Sequence, residues 1–197
     1  GIAERLLGEL GTDGPIEIGW DGHRRRTPVL RIMEPPKPDF MELFDGMKIL
    51  VSGGGTGITA EVVRELSGRA KLEIHVLGRT KPVEDAARLA ELDDEGLKRE
   101  KELLRERLKE EGRRVTPVLL EREFSKLTKS ITIHRLLEDM KKAGSGGKYH
   151  SVDVTDPDSL KEICDREGPF DAVIHAAGVE RSKLLINKKE EDFDLIY

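Results

Sequence analysis

The sequence predicts an α/β fold, a doubly wound parallel sheet, and three observations carry that prediction. A strand-like run ends in the glycine-rich stretch VSGGGTGITAEVV (residues 51–63) and passes directly into a helical pattern. From Met47 onward, short apolar runs alternate with amphipathic segments, the rhythm of parallel strands joined by crossover helices. The later helices also open on recognisable start signals, Asp156-Pro157-Asp158-Ser159 and Asn187-Lys188-Lys189-Glu190.

Element by element, residues 2–10 place Ile2, Leu6, Leu7 and Leu10 on one helical face. Two short strands come next, joined through Asp21-Gly22, a hairpin signal. The stretch EPPKPDF (34–40) reads as an extended linker. Residues 1–45 thus form a helix-hairpin segment with its linker, expected to dock on the main domain because a lone hairpin is marginal. The main domain, 46–197, starts with Lys48-Ile49-Leu50-Val51 as a buried strand. A helix over 57–67 comes after it, with Ile58, Val62, Val63 and Leu66 inward and Gly68 as its stop. KLEIHVLG, KYHSVDV and FDAVIHAAG supply the second, third and fourth strands. A last helix from about Lys188 turns Phe193 and Ile196 inward. The insertion 81–147 is several times the length of an ordinary crossover. Its first part is expected to be one long solvated helix and its second one or two helices from Thr116-Pro117; a coiled-coil partner site is the alternative.

Composition narrows the function. Charged residues make up 37% of the 197, well above the usual ~25%, yet the net charge is only −5. No basic face is implied, which argues against nucleic acid. The single cysteine, Cys164, permits no internal disulfide and suits a reducing cytoplasm. No apolar run reaches the ~18 residues of a membrane span. The chain starts without methionine and stops at Tyr197 within a helical pattern, so it reads as a segment truncated after its fourth strand and the next helix.

Gly53, Gly54, Gly55 and Gly57 would weaken a strand or a helix. Between a strand and a helix they let backbone N–H groups and the helix N-terminus approach a pyrophosphate, as in Rossmann-like dinucleotide sites. The spacing is Gly53-x3-Gly57-x-Thr59 rather than G-x-G-x-x-G, and a glycine-rich turn with no ligand is the bland alternative. Thr56-Gly57-Ile58-Thr59 lacks the lysine of a P-loop, and Leu50 stands where a nucleophile elbow around Ser52 needs glycine. His23, His75, His134, His150 and His175 show no metal spacing. No metal site is expected.

Where NAD enzymes place an acid at the end of the second strand, this chain has Gly78-Arg79-Thr80. A guanidinium and a hydroxyl suit a 2′-phosphate, which favours NADPH over NADH; an ordinary surface arginine is the alternative. Asp153-Val154 and His175-Ala176-Ala177-Gly178 fall at the carboxyl ends of the third and fourth strands, where such sheets bind ligands.

Taken together, VSGGGTGIT, VLGRT, YHSVDVTD and VIHAAGV resemble the successive cofactor segments of the short-chain dehydrogenase/reductase superfamily. The lengthened helical region with RRVTPVLLEREFSKL and the leading AERLLGEL…IEIGWDGHRRR look like the ketoreductase domains of polyketide and polyunsaturated fatty-acid synthases. The resemblance covers nearly the whole chain. It implies that Gly53, Gly54, Gly55, Thr56, Gly57 and Ile58 hold the pyrophosphate and that Arg79 with Thr80 faces the 2′-phosphate. Asp153 would accept from the adenine amino group beside Val154, and Ala176, Ala177 and Gly178 would line the nicotinamide-side ribose. Thr56 departs from the arginine often found at its position. The family's catalytic tyrosine, serine, lysine and asparagine would lie beyond Tyr197. Tyr149 and Tyr197 do not match the tyrosine's place, and Ser182 and Lys183 read as surface residues.

The implied activity is NADPH-dependent reduction of a β-ketoacyl thioester, carried on an acyl carrier protein, to a β-hydroxyacyl thioester within a synthase of several domains. Two other readings share the fold. One is an extended short-chain dehydrogenase or epimerase acting on a nucleotide sugar; the other is a non-catalytic structural domain, against which the intact glycine loop argues.

Overall fold

The computed structural model describes residues 2–32, 42–179, 182–194 and 196, with the side chains of residues 2, 185 and 193 left aside. The proline-rich linker and Tyr197 lie outside the described residues. The chain divides into two compact units, Gly1–Met41 and Glu42–Tyr197.

In the first unit, helix α1 (Ile2–Glu9) precedes strands β1 (Gly19–Asp21) and β2 (Arg24–Arg26). The strands pair antiparallel about Gly22, at φ 59°, the left-handed conformation that a tight hairpin turn asks of glycine. Arg25 bonds Glu9 at 2.9 Å, and the Arg5 guanidinium lies 5.2 Å from the Trp20 ring centre. Leu6, Leu7 and Leu10 are all exposed.

The second unit runs β3 (Lys48–Ser52), α2 (Gly57–Arg69), β4 (Glu73–Gly78), α3 (Ala86–Ala90), α4 (Asp94–Glu110) and α5 (Pro117–Lys142). It continues with β5 (Gly146–Ser151), α6 (Pro157–Glu167), β6 (Ala172–His175), a 3-10 turn (Leu185–Asn187) and α7 (Glu190–Asp194). The four strands β3 to β6 are parallel in the order β5-β4-β3-β6. Val51 faces Val76 on one side and Ile174 on the other, and Val76 in turn faces Tyr149. Side chains alternate across the sheet, so β3 feeds two cores. Ile49, Val51, Ile74 and Val76 pack with Ala60 and Val63 of α2 and with Leu136 and Met140 of α5. Leu50 and Leu77 pack on the other face with Val152 and Ile163 of α6. Each fully buried aliphatic side chain contributes roughly 1.5–3 kcal/mol. Helices on both faces of a parallel sheet make the architecture Rossmann-like, as the alternation predicts. Among the described residues no helix is long and apolar enough to cross a membrane.

Four local expectations are corrected. Helix α2 passes through Gly68 and ends at Arg69; Ser145 Oγ bonds the Ala70 carbonyl at 3.1 Å and serves its last turn in place of a glycine cap. Ile58 is 86% exposed and Val62 40%, while Ala60 and Ser67 take the buried stripe beside Val63. The long solvated helix is two, because Asp93 accepts from the Gly96 N–H at 2.7 Å and starts α4 afresh after α3. The second half of the insertion is the single helix α5, capped by Thr116. The last helix opens at Glu190, where Asp192 accepts from the Lys189 N–H at 3.2 Å. That acid-to-backbone bond is the returning half of a capping box shifted by two residues. Ile196 is 44% exposed, and the side chain of Phe193 lies outside the described residues.

Candidate functional site

The carboxyl ends of β3, β4, β5 and β6 gather most of the residues singled out from the sequence. After Ser52 the chain turns at Gly53, where φ is 71° and an ideal Cβ would lie 2.8 Å from the Ala176 carbonyl oxygen. A Cβ on Gly54 would lie 2.8 Å from Val51 Cγ1; one on Gly55 would lie 2.9 Å from Tyr149 Cε2 and 3.1 Å from Ile133 Cγ1. Real Cβ atoms do not approach so closely, so these three glycines are required by the protein's own packing. Gly57 differs. Its φ is 64° and a Cβ there would meet nothing within 4 Å. The space in front of it is open.

Thr56 caps α2 in an extended conformation (φ −151°, ψ 166°) without a side-chain hydrogen bond to the helix. The first N–H groups of this 13-residue helix therefore have no side-chain acceptor, and the positive end of its dipole faces outward beside the open space. Ile58 projects into solvent from the first turn. The loop is tied to the sheet by the Gly53 N–H, which donates to the Leu77 carbonyl at 2.9 Å.

Arg79 emerges exposed from the end of β4 and makes no hydrogen bond or ion pair among the described residues. Thr80, half-buried, accepts through its carbonyl from the Tyr149 hydroxyl at 2.9 Å. Asp153, past the end of β5, is exposed; its Oδ1 accepts from the Thr155 N–H at 3.0 Å and the Thr155 hydroxyl at 2.8 Å. Those bonds, with a smaller contribution from the Arg79 charge, hold its carboxyl below the usual range. Val154 packs onto the α6-side core. At the end of β6, the Ala176 and Ala177 N–H groups both donate to Ser52 Oγ at 3.2 Å. Gly178 has open space where a Cβ would be.

Ser52 and Tyr149 are the structural residues that the sequence pattern does not single out. Ser52 is 5% exposed; accepting two N–H groups, it donates its proton to His175 Nδ1 at 2.7 Å. It pins β3 to β6 and is no nucleophile elbow. Lys183 Nζ lies 2.6 Å from Asp192, itself 2% exposed.

On the α6 face, His75, His150 and Glu167 bring ligand-type atoms within 4.8 Å of one another, a grouping that their sequence spacing does not suggest. Their polar atoms are already committed. Glu73 Oε1 accepts from His75 Nε2 at 2.9 Å, which leaves His75 Nδ1 to accept from His150 Nε2 at 3.0 Å. Glu167 takes Lys148 and Arg166, each at 3.1 Å, and these cations hold its carboxyl down to about 2. Fully internal pairing makes this a closed polar network under α6 rather than a vacant metal cradle.

Comparison with known proteins adds the family. A model of the KR domain matches residues 48–197. The first of the two subunit types of a polyunsaturated fatty acid synthase from Thraustochytrium sp. is 30% identical over 199 aligned positions, covering 92% of this chain and 7% of that protein. The polyketide synthase PksM of Bacillus subtilis is 38% identical over 64 residues, 30% of this chain and 2% of that protein. The chain thus spans less than a tenth of either relative's length. Among solved structures, an N-terminal ketoreductase from the macrolactin assembly line superposes with a TM-score of 0.51 at 16% identity, covering 82% of this chain and 24% of that one. This last likeness bears on the fold.

Proposed function

The chain belongs to the KR domain family, ketoreductases of the short-chain dehydrogenase/reductase superfamily, and we propose that it carries the cofactor-binding part of an NADPH-dependent reductase. Its substrate is a β-ketoacyl thioester, which becomes a β-hydroxyacyl thioester. The observation that carries this reading is Arg79, an exposed guanidinium without a protein partner among the described residues, at the carboxyl end of β4.

The other residues fit the same ligand. The uncapped first turn of α2 and the open space before Gly57 suit a pyrophosphate. Arg79 and the Thr80 hydroxyl suit a 2′-phosphate. Asp153 bonds Thr155 through one oxygen only, so the other can accept from the adenine amino group. Ala177 and Gly178 offer small side chains to the ribose next to the nicotinamide. When bound, NADPH supplies the hydride; the protein supplies position and electrostatics.

We assign proton donation to groups outside the described residues. The Tyr149 hydroxyl is engaged with Thr80, and Lys183 with Asp192. Partners of the reading are an acyl carrier protein that presents the thioester and the other domains of a synthase. The lone thiol, Cys164, is free and exposed, which supports a reducing, cytoplasmic setting.

Titration of NADPH and NADH against the intact polypeptide tests the reading. NADPH is expected to bind well ahead of NADH. Arg79→Asp should cost about 2 kcal/mol in NADPH binding, roughly 30-fold in Kd, with little change for NADH. An unchanged preference in the variant removes Arg79 from the site.

A further inference from the structure

Tyr149 meets the candidate site from behind. It lies on β5, and its ring accounts for the absence of a side chain at two separate glycines. A Cβ on Gly55 would sit 2.9 Å from Tyr149 Cε2, and one on Gly78 would sit 2.6 Å from its hydroxyl oxygen. The ring therefore fills the space between the phosphate-facing loop and the last residue of β4. Its hydroxyl reaches one step further and donates to the Thr80 carbonyl at 2.9 Å. It also borders a cavity of about 310 Å³ lined by Pro82, Val83, Ala87, Ile133 and Leu137. With room on that side, packing alone does not fix the ring. The hydrogen bond to Thr80 does.

We propose that Tyr149 is a positioning residue for cofactor selection. By holding the Thr80 peptide, it sets the direction in which the chain leaves β4 and so the orientation in which Arg79 and the Thr80 hydroxyl meet a 2′-phosphate. Burial raises the phenol above its ordinary value, so it stays a donor throughout the working range. The strand end has a second tie, the Val152 N–H to the Gly78 carbonyl at 2.9 Å. That bond stops at residue 78; only Tyr149 extends the restraint past Arg79. This inference rests on the NADPH reading of the site.

Tyr149→Phe keeps the ring between the glycines and deletes only the donor. In the intact polypeptide, with Kd measured for both cofactors, the variant should bind NADPH about fivefold more weakly, the equivalent of one ordinary hydrogen bond. NADH affinity should stay within twofold, and the thermal melt within a few degrees. In an Arg79→Ala background, adding Tyr149→Phe should leave the NADPH:NADH ratio where Arg79→Ala put it. Equal losses for both cofactors would make Tyr149 structural and overturn the proposal. So would an unchanged ratio in a protein whose wild type prefers NADPH. A wild type without preference for NADPH is a different result: it refutes the 2′-phosphate reading itself, and the proposal falls with it.

Discussion

Gly55 and Gly57 stand two positions apart and lack side chains for different reasons, which makes them a discriminating pair. Gly55→Ala would drive a methyl group against Tyr149 and Ile133, at 2.9 and 3.1 Å. Overpacking of this kind costs typically 1–3 kcal/mol, so its thermal melt should fall by several degrees. Gly57→Val meets open space, but a β-branched residue at φ 64° is strained. Its fold, followed by circular dichroism, should weaken modestly while calorimetric NADPH binding disappears; retained binding would refute the role of this loop. The sequence shows a glycine loop but not this division of labour. Three of the four glycines are set by Ala176, Val51 and Tyr149, and two of those partners lie about a hundred residues away in sequence.

Histidine supplies a second test at this scale. Burial lowers His150 from its ordinary value, and His75 adds to the shift, while Glu167 opposes it and Arg166 and Lys148 reinforce it. A histidine depressed in the folded state contributes stability that is present above its unfolded pKa of ~6.5 and lost as pH falls through the folded value. Glu167, held near 2, adds stability present above its unfolded value of 4.5 and lost toward pH 2. Melting temperatures should therefore decline on acidification from pH 8 to 5 and again below 4.5. His150→Gln should flatten the first decline and leave the second.

At the scale of elements, the insertion divides into a helix that belongs to the core and one that does not. Leu136 of α5 is 1% exposed among Ile49, Val63 and Ile74, whereas Leu103 of α4 is 52% exposed. Leu136→Ala should cost 2–5 kcal/mol in a denaturant melt and Leu103→Ala close to nothing. Similar costs at the two sites would mean that α5 does not cover the sheet as described. The helical character of this region and the start of α5 at Thr116-Pro117 are legible in the sequence, because cap and proline act locally. The break at Asp93 is also written locally, in Asp93-Asp94-Glu95, yet uniform Glu/Lys/Leu composition on both sides hides it. Which helix reaches the core is not local at all. It depends on the register of α5 against β3 and β4.

For the whole molecule, the order β5-β4-β3-β6 puts the change of winding direction between β3 and β6, and open parallel sheets bind ligands at such a point. The alternation of elements is enough to predict this order, since right-handed crossovers leave few other arrangements. Site residues separated by more than a hundred positions then meet without further instruction: Gly53 lies against Ala176, and Arg79 comes within electrostatic reach of Asp153. Tyr149 is not legible in the same way, because nothing in its own neighbourhood marks it; only β5 pairing beside β4 puts it behind Gly55 and Gly78. The central claim therefore concerns one edge of one sheet. Its most direct test is the structure of the intact polypeptide determined with NADPH. The pyrophosphate is expected at the first turn of α2 before Gly57, and the 2′-phosphate on Arg79 and Thr80. Cofactor bound elsewhere, or bound at this edge with Arg79 turned away from the 2′-phosphate, would contradict it.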